Sequence, residues 1–127
     1  MRLLLDTHAF LWWLGNDRKL GPRSREAIAD GENVVYVSAA TAWEVAVKRR
    51  SGKLVAPGDI GGWMAASSFE PLPIEVEHAV AAAELPLHHK DPFDRMLVAQ
   101  AQIEDLTLVA RDDEIEKYAV TVFDAST

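Results

Sequence analysis

Four carboxylates stand in this sequence at places where folding could gather them. Asp6 closes "LLLD", Glu44 lies within "SAATAWEVAVKRR", Asp94 within "HHKDPFDRML", and Asp112 ends "TLVARD". Each has an ordinary account when taken singly. Asp6 can cap a helix that begins at Thr7, and Asp91, directly before Pro92, is a natural cap for the next. Glu44 can pair with Lys48 four residues on, and Asp112 or Asp113 can cap the short segment Glu114 to Tyr118.

The set is harder to explain away. Glu44 shares the i, i+3, i+4, i+7 stripe of Ala40, Trp43 and Val47, and Asp94 shares one with Leu97, Val98 and Ala101. Both acids are therefore expected on core-facing stripes, where a lone carboxylate is costly unless a cation or several donors meet it. Carboxylates converging on one cleft repel one another, and raised pKa values or divalent cations relieve that repulsion. An all-oxygen donor set open to solvent suits Mg²⁺ or Mn²⁺. The chemistry such a site serves is phosphodiester hydrolysis by a metal-activated water.

These side chains need a scaffold that brings distant segments to one edge. Leu3 to Leu5, Val34 to Val37 and Leu106 to Ala110 are continuous apolar runs, the pattern of strands covered on both faces. Phe69 to Ile74 and Val120 to Phe123 are weaker strand candidates, the first confined to an edge by Pro71 and Pro73. Helical patterns span Thr7 to Leu14, Pro22 to Asp30, Ala39 to Arg50, Ile60 to Ser68, Glu75 to Glu84 and Pro92 to Glu104. Alternating strands and helices imply an α/β fold, a three-layer α/β/α sandwich with a central parallel sheet, here as a single domain over residues 1–127. Sites in such sheets lie at the carboxyl ends of the strands. Asp6 and Asp112 end two of them.

Composition narrows the chemistry further. The 127 residues are 49% hydrophobic and carry a formal charge of −7, which argues against a diffuse basic surface that grips nucleic acid. The basic residues are nonetheless grouped, as Arg18, Lys19, Arg23 and Arg25, and as Lys48, Arg49, Arg50 and Lys53. With no cysteine, thiolate metal sites and cysteine nucleophiles are excluded. Neither a membrane-length apolar run nor a signal-peptide pattern is present, so a cytoplasmic protein without a membrane partner is expected.

Four segments, "LLLDTH", "SAATAWEVAVKRRSGKL", "LPLHHKDPFDRMLVAQAQ" and "LTLVARDDEIEKY", together resemble the PIN-domain ribonucleases of the VapC toxin type in content, order and spacing. The resemblance implies a Rossmann-like sandwich, usually homodimeric, that cleaves RNA with Mg²⁺ or Mn²⁺. It also implies a cognate VapB-like antitoxin whose tail occupies the cleft. Carried onto this chain, the catalytic and metal-holding acids are Asp6, Glu44, Asp94 and Asp112, with Asp113 as a possible substitute. Asp94 is preferred to Asp91, as the capping argument also prefers. Ala110 departs from the pattern, because a hydroxyl residue is common there.

Supporting roles are open to several side chains. Thr7 could offer its hydroxyl to a metal-bound water or lie on the first-turn surface. Arg95 and Arg111 could meet substrate phosphates or merely balance the acids. His88 and His89 are expected to be solvated loop residues. Phe10, Trp12 and Trp13 suit core or dimer contacts, and Trp63 and Met64 suit an interface. Two readings of other classes compete with the nuclease. A Mg²⁺-binding phosphoacceptor signalling domain would need an aspartate after Val34 to Val37, where none stands. Loss of even one of the four acids would have suggested a non-catalytic PIN-like interaction module, and none is lost.

Overall fold

Strands β1 (Arg2–Leu5), β2 (Val34–Ser38), β3 (Glu70–Leu72), β4 (Thr107–Ala110) and β5 (Val122–Asp124) pair into one parallel sheet in the order β3-β2-β1-β4-β5. Helices α1 (Thr7–Leu14), α2 (Pro22–Ala29), α3 (Ala39–Arg50), α4 (Ile60–Ala66), α5 (Val76–Glu84) and α6 (Pro92–Glu104) cover it. The structure is a computed structural model that describes residues Met1–Thr127.

Alternation along the strands divides the interior into two cores. Leu3 and Leu5 point to one face with Val35, Val37 and Val109, and meet Phe10, Ile28 and Met64 from α1, α2 and α4. Leu4 and Leu108 point to the other and meet Ala40, Leu97, Val98 and Ala101 from α3 and α6. All of β1 from Leu3 to Leu5 is inaccessible to solvent, which is why it reads as unbroken apolar sequence.

The weak strand candidates form at the sheet margins. Pro71 and Pro73 limit Phe69 to Ile74 to the three-residue edge strand β3, since proline cannot supply a ladder donor. On the opposite margin the chain end folds back over Gly21. The Gly21 N–H donates to the Ala125 carbonyl at 2.9 Å, and a Cβ at position 21 would lie 2.2 Å from the Thr127 carbonyl carbon, so only glycine fits. No helix is long and apolar enough to cross a membrane.

What matters for chemistry is the direction of winding. From β1 the chain moves outward through β2 to β3, then returns through α5 and α6 to place β4 on β1's other side. The order reverses between β1 and β4. Their carboxyl ends diverge there and open a crevice, the usual ligand position in open α/β sheets.

Candidate metal centre

Asp6 leaves β1 at the floor of that crevice. Its N–H donates to the Val109 carbonyl at 3.0 Å, which ties it to β4, while its Oδ1 accepts the Ala9 N–H at 2.7 Å and caps α1. Capping and membership of the acid group are compatible, because the second oxygen remains. The residue is only 3% exposed.

Glu44 enters from α3, though on a different face than its spacing suggests. The buried stripe runs through Ala40, Thr41, Glu44 and Val45, whereas Trp43 and Val47 are exposed. Small and hydroxyl-bearing neighbours admit the carboxylate where bulky apolar residues would not. Thr7 is likewise buried rather than on the surface, and its hydroxyl donates to Glu44 Oε1 at 2.5 Å. Lys48 donates to Oε2 at 2.5 Å, so the i, i+4 pair forms even though Glu44 is buried. Both Glu44 oxygens are thereby engaged.

Asp94 and Asp112 face each other across a histidine. Asp91 caps α6 as its place before Pro92 predicts, its Oδ1 accepting from the N–H groups of Phe93 and Asp94 at 2.8 and 3.1 Å. Asp94 sits in the first turn, and Asp112 follows β4 with its Oδ1 accepting from the Glu114 N–H at 2.8 Å. His89 Nε2 lies 3.0 Å from Asp94 Oδ2 and 2.9 Å from Asp112 Oδ2. The expectation of a solvated His89 is thus corrected, while His88 is exposed and packs edge-on against Tyr118. The divergence of adjacent side chains is real; it sends one ring out and the other in. The sequence signal was the Asp91 cap, which folds the residues just before it over the first turn of α6.

The ring's orientation decides its role. His89 Nδ1 accepts the Asp91 N–H at 3.2 Å, so the hydrogen belongs on Nε2, which donates to the two acids. Nε2 keeps that hydrogen in the protonated ring as well. In this arrangement His89 braces Asp94 and Asp112, and the three ligand atoms lie within 4.8 Å of one another, close enough to share an ion.

Arg95 is the clearest departure from expectation. It is buried, and its guanidinium donates to the carbonyls of Ala82, Leu85, Pro86 and His89 at 2.8, 2.9, 3.0 and 3.2 Å, and to that of Ala83 at 3.3 Å. It closes the carboxyl end of α5 and holds the following loop, as a cation at a helix terminus does. Tyr118 joins it, its hydroxyl donating to Pro86 O at 2.7 Å and accepting from the His89 N–H at 2.9 Å. Both terminal nitrogens of the guanidinium are thus committed to the protein rather than to a substrate phosphate. Arg111 is exposed and its charge acts on Asp124, away from the acids, and Asp113 is exposed. Met64 is a core residue rather than an interface one, although Trp63 is half exposed.

Electrostatics bind the acids into one unit. Burial, then the charges of Asp94, Asp112 and Glu44, push the Asp6 carboxyl up to about 7 against the pull of the Ala9 hydrogen bond. Burial and the charges of Asp91, Glu44 and Asp112 push Asp94 up to about 7, opposed by His89. For His89, burial works against protonation, yet the Asp112 hydrogen bond and the Asp94, Asp112 and Asp91 charges raise its pKa. Such strain, in a set made almost wholly of oxygen, is what a hard divalent cation relieves. The donors fit Mg²⁺ or Mn²⁺: Asp6 and Asp94 each keep one oxygen without a hydrogen-bond partner, whereas both Asp112 oxygens, like those of Glu44, are engaged.

A pH dependence follows for protein kept in chelator. Below about pH 4 the two carboxyls are protonated whether the chain is folded or not. Between roughly pH 4 and 7 the unfolded chain releases protons that the folded chain retains, so stability falls as pH rises. The raised His89 pKa acts in the same direction, its contribution fading above the ordinary histidine range. Thermal scans in EDTA are expected to show a lower melting temperature near pH 8 than near pH 5, reflecting a stability difference on the order of a few kcal/mol. The Asp6→Asn variant should flatten that slope. A wild-type slope of the opposite sign would contradict the strained cluster.

Comparison with known proteins locates this arrangement. The family model described as PIN domain matches residues 3–120. Among solved structures, the chain resembles one from VapBC2 of Rickettsia felis bound to a DNA fragment from their promoter, with a TM-score of 0.71 at 14% identity, covering 97% of this chain and 98% of that one. A chain of a toxin-antitoxin complex from Klebsiella pneumoniae gives 0.65 at 21%, and one of FitAcB from Neisseria gonorrhoeae gives 0.59 at 22%, each covering 97% of both chains. A search of curated proteins finds no match.

Proposed function

The chain belongs to the PIN-domain family, and from that premise we propose that it is a Mg²⁺- or Mn²⁺-dependent endoribonuclease serving as the toxin of a toxin-antitoxin pair. The observation that carries this reading is the meeting of Asp6, Glu44, Asp94 and Asp112 at the crevice between β1 and β4, where Asp6 feels the charges of Asp94, Asp112 and Glu44, and Asp94 those of Glu44 and Asp112. The solved chains of similar fold come from toxin-antitoxin complexes, which supports an antitoxin as partner here too. A homodimer in the cytoplasm completes the proposal.

Each residue then has a task. Asp6 and Asp94, each with an oxygen that has no hydrogen-bond partner, hold the ion, and Asp112, both of whose oxygens are engaged, completes or supports that set from behind them. Glu44 acts from one layer further out, because Thr7 and Lys48 occupy its oxygens, and it fixes the Lys48 ammonium at the crevice. When bound, a divalent ion supplies Lewis acidity that acidifies water and offsets charge on the scissile phosphate and the leaving oxygen. His89 keeps Asp94 and Asp112 at a fixed separation. Asp91 secures the first turn of α6 from which Asp94 projects. Ala110 offers no hydroxyl, so nothing at that position assists.

RNA incubated with the purified protein should be cut in Mg²⁺ or Mn²⁺, left intact after EDTA, and cut again on restoring the ion. The fragments should carry 5′-phosphate and 3′-hydroxyl ends, which ligation to an adaptor reads directly. Cleavage indifferent to EDTA, or no divalent uptake by calorimetry, would overturn the assignment.

A further inference from the structure

Lys48 stands on the last turn of α3 and reaches back to the crevice, where its ammonium donates to Glu44 Oε2 at 2.5 Å. A pair four residues apart on a helix is ordinarily an exposed contact of small consequence. This pair is unequal in burial, because the Glu44 side chain is 6% exposed and that of Lys48 is 41% exposed. The cation therefore rests on a buried acid with its other side open to solvent. An ammonium carries three hydrogens, and the bond to Glu44 takes one of them. That hydrogen bond is the largest influence raising the Lys48 pKa; burial opposes it, and the charges of Glu44, Asp91 and Asp94 add to it. The ammonium thus stays charged between α3 and the start of α6.

Free carboxylate oxygens at the crevice are few. Glu44 gives Oε1 to the Thr7 hydroxyl and Oε2 to Lys48, while Asp112 gives Oδ1 to the Glu114 N–H and Oδ2 to His89. Asp6 and Asp94 keep one each. Two such oxygens suffice for a hard divalent ion that retains several waters. A second ion would need further carboxylate oxygens within about 4 Å of the first, and at Glu44 that place already holds a positive charge. Lys48 and a divalent ion on one carboxylate would repel each other.

We infer that the Lys48 ammonium takes the place of a second divalent ion, so that each chain binds one ion, and that its two remaining hydrogens meet the scissile phosphate. The inference rests on the nuclease reading and adds to it a catalytic residue that is not an acid. A cation fixed by the fold is in position before substrate arrives, which is the condition under which charge stabilisation is most effective.

The test counts Mn²⁺ bound to the full chain without RNA, from the loss of the free-ion signal in electron paramagnetic resonance. Wild type and Lys48→Arg, which keeps the charge, should each bind one ion. Lys48→Met keeps most of the stem and frees Glu44 Oε2, so it should bind two and show the exchange-coupled spectrum of a neighbouring pair. At limiting Mn²⁺ its cleavage of RNA should fall about a hundredfold, the scale for loss of one preorganised donor. Its rate should also rise with the square of Mn²⁺ concentration, where that of the wild type rises linearly. Two ions on the wild type, or a single ion on Lys48→Met with the same linear dependence, overturns the inference while leaving a metal-dependent nuclease standing. If Lys48→Met fails to fold, the counts for wild type and Lys48→Arg decide. No Mn²⁺ on the wild type removes both this inference and the nuclease reading.

Discussion

Asp6→Asn and Asp94→Asn are each expected to lower RNA cleavage by about a thousandfold, the scale on which one strong electrostatic contributor to a transition state acts. Asparagine keeps a carbonyl oxygen in nearly the same place and removes the charge. At Asp6 the helix cap survives, because asparagine caps as well as aspartate and can still accept the Ala9 N–H. Folding should therefore persist, and in chelator near pH 8 both variants should melt higher than the wild type, since a repulsive charge is gone. Loss of activity together with a gain in stability separates a cation-holding acid from a structural one. Undiminished cleavage by either purified variant would refute its role.

Arg95→Ala should produce the largest loss of stability, about 2 to 3 kcal/mol. Five carbonyls lose their donor, and that of Ala82 loses it at a buried position. Lysine brings one ammonium with three donors where the planar guanidinium reaches carbonyls on several sides, so Arg95→Lys should recover less than half of the loss. Urea titration measures both. The activity of whatever folded protein remains should fall too, because the loop that Arg95 holds delivers His89 to Asp94 and Asp112. A variant of wild-type stability with weakened RNA binding alone would return Arg95 to the phosphate-contact role suggested by its place beside Asp94.

Where one physical signal dominates, the sequence is readable. Strands β1, β2 and β4 are buried on both faces and appear as unbroken apolar runs, and α1, α3 and α6 begin at capping residues, so their bounds coincide with expectation. The convergence of Asp6, Glu44, Asp94 and Asp112 is legible because two of them terminate strands and two lie near helix starts at the same edge. What periodicity obscures is rotation about a helix axis. Trp43 and Glu44 are adjacent, and a stripe drawn through both is consistent with the spacing, yet only Glu44 turns inward. The deciding contact is with Thr7, far off in the chain. Arg95 and His89 were given other surroundings for a related reason: the main-chain carbonyls that engage Arg95 have no residue-type signature, and only the Asp91 cap hinted at the loop path that turns His89 toward Asp94 and Asp112.

The position of β1 between β2 and β4 also sets when the crevice can exist. Its second neighbour is the fourth strand to be made, and parallel pairing across such sequence distance is slow to form. On a translating ribosome Asp6 emerges well before Asp112 and must wait for it. Nascent chains therefore cannot assemble the four acids, and a truncated product that ends before β4 carries an incomplete set.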